Sequence, residues 1–169
     1  MTVPARISYA LEKLAPRPGD RLLEIGCGTG VAAAELAATR RFAALLAIDR
    51  SALAVAQAQR RAAAFIAADK VQIVQSALAD LARPSQPFDQ AFAINVNLFW
   101  RDGAADLAVL RRLLKPKGRL LLVWQPPSAA RVAPIREAAI AQLTATGFAL
   151  ETVEQAGTAR LPLLSLICR

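Results

Sequence analysis

The feature that most constrains this chain is Leu22-Leu23-Glu24-Ile25-Gly26-Cys27-Gly28-Thr29-Gly30, an apolar run that ends in three alternate glycines and passes into an alanine-rich stretch over 31–40. The pattern predicts a buried strand, a tight turn and the start of a helix. Glycine in such a turn permits positive φ and leaves the main chain bare where a ligand lies against it, while the free amides that open the helix face the same ligand. The next apolar run, 44–48, closes on Asp49, nineteen positions after Gly30. Nucleoside-binding α/β folds put the carboxylate for the ribose hydroxyls at about this place. Together the two features point to a nucleoside cofactor.

The rest of the chain repeats the alternation. Strands are expected at 21–25, 42–48, 71–75, 89–94 and 119–124, with helices at 31–41, 51–65 and 104–114 and a short helical piece at 78–82. Ser51 is placed to cap the helix at 51–65, and Asp102 is a candidate cap for the one at 104–114. The partly alternating Val71-Gln72-Ile73 suits an edge strand, whereas the continuously apolar first and fifth strands suit the buried middle of a parallel sheet. A last helix at 134–146 ends at Gly147, and two strands at 148–154 and 161–168 form a closing hairpin. An amphipathic helix over 4–14 precedes all of this and is expected to cover one sheet edge. The fold expected is a doubly wound, seven-stranded, mainly parallel sheet with an antiparallel C-terminal hairpin and helices on both faces. We expect a single domain over 1–169, with 1–19 as a helical cover and 20–169 as the core.

Composition narrows the chemistry. The 169 residues contain no histidine and only two cysteines, Cys27 and Cys168, without metal-ligand spacing. A histidine base, a Ser/His or Cys/His nucleophile and any histidine metal ligand are thereby excluded, and neither a disulfide framework nor a zinc site is expected. The formal charge is +8, which favours nucleic acid or an anionic surface as a partner. The basic residues are scattered without a long run, and arginine outnumbers lysine in an alanine-rich chain, so compositional bias is the favoured account of the charge and nucleic acid the lesser alternative. Arg6, Glu12 and Lys13 interrupt the apolar residues near the N-terminus, so no secretory core is formed. No stretch reaches the length of a membrane span. The expectation is a cytoplasmic protein with no membrane partner.

The chain resembles the class I S-adenosylmethionine-dependent methyltransferases. The resemblance runs from about Asp20 to Arg169 and rests on Glu24-Ile25-Gly26-Cys27-Gly28-Thr29-Gly30, on Asp49, on the Leu114-Lys115-Pro116-Lys117-Gly118 turn, and on the terminal hairpin. It implies S-adenosylmethionine as cofactor. Gly26, Cys27, Gly28 and Gly30 would then line its methionine part, with Glu24 near the amino group. Asp49 would hold the ribose, Arg50 and Leu53 would flank the adenine, and Ser76, Ala77 and Leu78 would meet the adenine edge. Asn95 would stand beside the reactive methyl. Many members carry an acidic residue after the third strand; here Ser76 stands in that place, so its hydroxyl, a backbone carbonyl or Asp80 would take the adenine amino group.

Methyl transfer from a sulfonium needs chiefly that nucleophile and methyl be held at reacting distance, which suits a chain without histidine. Asp102, Asp106 and Tyr9 are the candidates for a base, each with a simple surface or capping role as the alternative. Phe99, Trp100 and Trp124 form either an apolar wall or part of the core. Val31 stands where the dinucleotide fingerprint requires a third glycine, which argues against a nicotinamide enzyme. A small-molecule acceptor is the leading expectation. An RNA or protein acceptor, or a non-catalytic sensor of S-adenosylmethionine, are the alternatives.

Overall fold

The computed structural model describes residues 2–68 and 70–169. Its elements run α1 (Ala5–Leu14), β1 (Arg21–Ile25), α2 (Val31–Thr39), β2 (Ala44–Asp49), α3 (Ala52–Arg61), α4 (Ala63–Ile66), β3 (Val71–Gln75), β4 (Phe88–Ile94), α5 (Leu98–Arg101), α6 (Ala104–Leu113), β5 (Leu114–Trp124), α7 (Val132–Ala145), β6 (Leu150–Gly157) and β7 (Pro162–Cys168). The seven strands form one sheet in the order β3-β2-β1-β4-β5-β7-β6. Strands β1 to β5 are parallel, and β7 runs antiparallel to both β5 and β6. This is the doubly wound sheet with a C-terminal hairpin that the alternation predicts.

The apolar periodicity explains the layers. Alternate strand residues project to opposite faces, so Leu22, Phe92, Leu121 and Val123 pack with α1, α2 and α3. Leu23, Ala91, Leu120 and Leu122 pack with α6 and α7 on the other side. Helix α1 lies over β4 and β5 through Ile7, Ala10 and Leu14. It therefore covers the middle of a face and not an edge, because α2 and α3 reach only as far as β1 to β3 and leave that apolar surface bare.

Several local expectations shift. The helix expected over 51–65 breaks at Ala62, although Ser51 does cap it by accepting from the Ala54 amide at 3.2 Å. Asp102 does not cap α6: it stands at the C-cap of α5, Gly103 occupies the N-cap of α6, and no side chain closes it. Strand β5 begins at Leu114, before the Lys-Pro-Lys-Gly turn, because Leu114 already pairs with Phe88 and the register slips before resuming at Arg119. Gly147, at φ +80, ends α7 as expected, with the Gly147 amide bonded to Thr144 O and the Phe148 amide to Leu143 O. Those two bonds satisfy carbonyls the helix end would otherwise strand. Among the described residues no helix is long and apolar enough to cross a membrane.

Candidate functional site

The sheet order reverses between β1 and β4, and at the carboxyl ends of those strands, where open α/β sheets receive ligands, a cleft of about 720 Å³ opens. Of the residues singled out from the sequence, Gly26, Asp49, Arg50, Ser76, Ala77, Leu78 and Asn95 line it. Glu24, Cys27, Gly28, Gly30 and Leu53 are not among its walls, and each has a distinct place.

Gly28 sits at φ +53, and a Cβ built on it would meet nothing within 4 Å, so the loop presents an open backbone. Gly30 serves packing. At φ +74 it starts α2, and a Cβ there would come within 2.6 Å of the Ala58 Cβ on α3. Cys27 is buried, and its thiol is pushed up to about 12 by burial first and by Glu24 and Asp49 second. It is chemically inert as a nucleophile. Leu53 lies in the first turn of α3 and is 69% exposed, an apolar side chain standing free beside the cleft.

Glu24 is the unusual group. It is 3% exposed near the carboxyl end of β1, and its Oε2 has no hydrogen-bond partner among the described residues. Among the described residues no lysine or arginine forms an ion pair with it. Burial, aided by the negative charge of Asp49, raises its carboxyl to about 8. A buried carboxyl without a donor is costly unless it is protonated or meets a cation.

Asp49 ties the site together. Its Oδ2 accepts from the Gly28 amide at 2.8 Å and its Oδ1 from the Ser51 amide at 2.9 Å. Each oxygen keeps a further lone pair for a ligand. Ser76 donates its hydroxyl hydrogen to Ala77 O at 2.9 Å, which leaves the hydroxyl oxygen free to accept. Asp80 lies on the exposed short turn that follows and is not part of the cleft wall.

On the far wall, Asn95 adopts φ +58, its amide donates to Val123 O at 2.8 Å, and its Oδ1 accepts from the Gln125 amide at 2.7 Å. With the oxygen engaged, the side chain faces chemistry as a donor. Gln125 is held in turn by the Arg6 guanidinium on α1, at 3.4 Å. Asp102 and Asp106 also line the cleft. Burial raises the carboxyl of Asp106, assisted by Asp102 and opposed by Arg50. Tyr9 is elsewhere: its hydroxyl meets Ser165 Oγ at 2.9 Å and Glu154 at 3.3 Å beneath α1, so it is no base for this site. Phe99 and Trp124 are core residues and Trp100 packs against them; none of the three lines the cleft. The Trp124 indole donates to Val96 O at 3.0 Å, fastening the segment after β4.

Arg101 lines the cleft and was not anticipated. The signal available was its position on the short helical segment that follows the end of β4. Val96 was missed as well. Its Cγ2 stands 2.6 Å from where a Cβ on Gly26 would be, so the Val96 side chain packs against the loop after β1 in space that a side chain at residue 26 would take.

Comparison with known proteins agrees with this geometry. A methyltransferase-domain family model matches residues 23–120. The chain is 36% identical to a protein-L-isoaspartate O-methyltransferase of Methylorubrum extorquens, over 73% of this chain and 50% of that protein. It is 31% identical to an O-methyltransferase of Pyrenophora dematioidea, over 65% of this chain and 41% of that protein. The chain thus spans half or less of the length of these relatives. Among solved structures, the cyclase SpnF superposes with a TM-score of 0.81 at 19% identity, covering 96% of this chain and 79% of that one.

Proposed function

The chain belongs to the class I S-adenosylmethionine-dependent methyltransferases, and from that premise we propose that it transfers a methyl group from S-adenosylmethionine to a small-molecule acceptor held in the cleft at the β1/β4 crossing. The observation that carries the reading is Glu24, a buried carboxyl whose Oε2 lacks a partner, on the strand that leads into the bare glycine loop. A cationic amino group fits that need, and a carboxylate at Asp49 with spare lone pairs fits a pair of ribose hydroxyls. The residues present therefore suit the cofactor.

S-adenosylmethionine would supply an electrophilic methyl on its sulfonium, to which an acceptor lone pair would bond in line as the sulfur–methyl bond breaks and S-adenosylhomocysteine leaves. The contributions of the chain are positional. Glu24 takes the ammonium, and in doing so is held in its charged form. Asp49 keeps the glycine loop against the end of β2 while it accepts from the ribose. Ser76, with its own hydrogen given to Ala77 O, accepts from the adenine amino group, and Arg50 flanks the ring. Asn95 donates through its side-chain nitrogen to an oxygen of the acceptor and so fixes the attacking atom's approach. Asp102 and Asp106 offer carboxylates that receive the acceptor's proton.

A protein acceptor is the second reading, favoured by the similarity to the isoaspartate methyltransferase. Titration calorimetry with S-adenosylmethionine, S-adenosylhomocysteine and NAD tests the cofactor: the first two bind and NAD does not. A screen of polar metabolites, peptides and small RNAs for product S-adenosylhomocysteine then separates the acceptors. Cofactor binding with no turnover on any of them would favour a sensor.

A further inference from the structure

The formal charge of +8 is not spread evenly over the molecule. Because β1 to β5 are parallel, the segments that enter these strands all lie at one end of the sheet, opposite the cleft. The end of β7 joins them, since β7 is antiparallel to β5. More than half of the 21 lysines and arginines fall on these entry segments or on the end of α6. Arg17 precedes β1, Arg40 and Arg41 precede β2, Arg83 precedes β4, and Arg112 and Lys117 flank the start of β5; all six are exposed. None of the six has a carboxylate within ion-pair distance among the described residues.

Three of the described carboxylates at this end are already engaged. Asp20 accepts from the Arg17 amide and from Gln90, Asp89 from the Arg21 amide and Lys115, and Glu151 from Arg169. The bonds of Asp20 and Asp89 lace the entries to β1, β4 and β5 together, and the Ala43 amide donates to Asp20 O at 2.8 Å, which ties the entry to β2 to the same rim. At the cleft end Arg50 and Arg101 face Asp49, Asp102 and Asp106, and Arg131 and Arg160 add two exposed cations. The larger share of the positive charge lies at the far end.

We infer that this rim of strand-entry arginines and lysines, opposite the cleft, is a docking surface for the phosphate backbone of a nucleic acid. The order β3-β2-β1-β4-β5, with the exposed Lys70 at the entry to β3, sets the cations in a row whose length, at strand spacing, is about 19 Å, or roughly six phosphates along one strand of a duplex. Most of them are arginines, whose planar guanidinium binds phosphate oxygens in pairs. A lipid surface would call for exposed apolar anchors beside the cations. The exposed large apolar side chains are Leu53, Val74, Leu150, Val153 and Leu161. Only Leu150, which begins β6, lies at this end. The contact is with backbone charge and carries no sequence preference. It is separate from the cleft, so it stands or falls independently of the methyl-transfer reading.

Fluorescence anisotropy of the whole chain with a labelled single-stranded RNA and a labelled DNA duplex tests the rim, and the two probes show which nucleic acid is preferred. Binding should weaken on the order of a thousandfold between about 50 mM and 200 mM salt if some six phosphates are neutralised. The pairs R41E/R83E and R112E/K117E should each weaken it at least tenfold and reduce the slope of log K against log salt by roughly one per charge lost. Calorimetry with S-adenosylhomocysteine, unchanged in both variants, shows that they are folded. Absence of binding at low salt, or binding that the reversals leave intact, would overturn the inference. So would binding only to vesicles containing phosphatidylglycerol.

Discussion

The Gly28 amide donates to Asp49 Oδ2 at 2.8 Å across 21 residues of sequence. One carboxylate therefore both shapes the glycine loop and closes the strand whose end faces a ligand, which couples loop geometry to cofactor affinity. Asp49→Ala removes both. The cost of losing hydrogen bonds to a charged acceptor is about 1.5 to 3 kcal/mol, so affinity for S-adenosylhomocysteine should fall roughly ten- to a hundredfold. Calorimetry on the folded variant measures it, and unchanged affinity refutes the role.

Gly28 and Gly30 should separate on substitution. A Cβ at Gly30 meets the Ala58 Cβ at 2.6 Å and its Cα at 2.8 Å, so Gly30→Ala should destabilise the protein by about 1 to 3 kcal/mol through overpacking, on top of an unfavourable φ. Gly28→Ala has open space around it and pays only the backbone term. It should lose cofactor affinity more than stability, because the methyl stands where the loop is bare. Thermal melts and ligand titrations on the two variants give the contrast.

The pH dependence of stability should carry the mark of Glu24. Its folded pKa, about 8, lies above its ordinary value of 4.5 because of burial and then Asp49. Between those values the native state binds the proton more tightly than the unfolded chain. Its contribution is thus fully present below about pH 4.5 and is lost as the pH rises through 8. Melting temperature without ligand should decline over that window, and Glu24→Gln should flatten the decline.

Cofactor binding near neutral pH should displace the proton from Glu24, because an ammonium beside it favours the charged form. The observed binding enthalpy should then vary with the ionisation enthalpy of the buffer. In Glu24→Gln that variation should vanish. A wild-type enthalpy independent of buffer would remove Glu24 from contact with the amino group.

Asn95 should behave differently from the cofactor ligands. Its Oδ1 is committed to the Gln125 amide, which leaves the nitrogen to donate to an acceptor. Asn95→Ala should lower turnover more than it lowers cofactor affinity, since only an interaction strengthened in the transition state raises the chemical rate. Asn95→Asp keeps the bond to Gln125 and loses the donor, so it should share the turnover defect. Equal losses in binding and turnover would make Asn95 a cofactor contact.

The strand, the glycine turn and Asp49 were legible in the sequence because each is a local matter: apolar alternation or continuity sets a strand, positive φ asks for glycine, and a carboxylate at a strand end declares itself by position. The parallel sheet and its antiparallel hairpin followed from the alternation of such elements. What the sequence could not decide was partnership across the fold. Periodicity says that α1 has an apolar face, and only the packed sheet shows that β4 and β5 are what it covers. Gly30 reads as a ligand contact in sequence and becomes a helix contact once Ala58 arrives beside it. Asp102 reads as a cap, and with Asp106 and Arg101 it forms a cleft wall because α5 intervenes. The scattered cations likewise show no run along the chain. Parallel strands gather their entry segments at one end of the sheet, so residues far apart in sequence meet there, and charge that looks diffuse becomes a single rim.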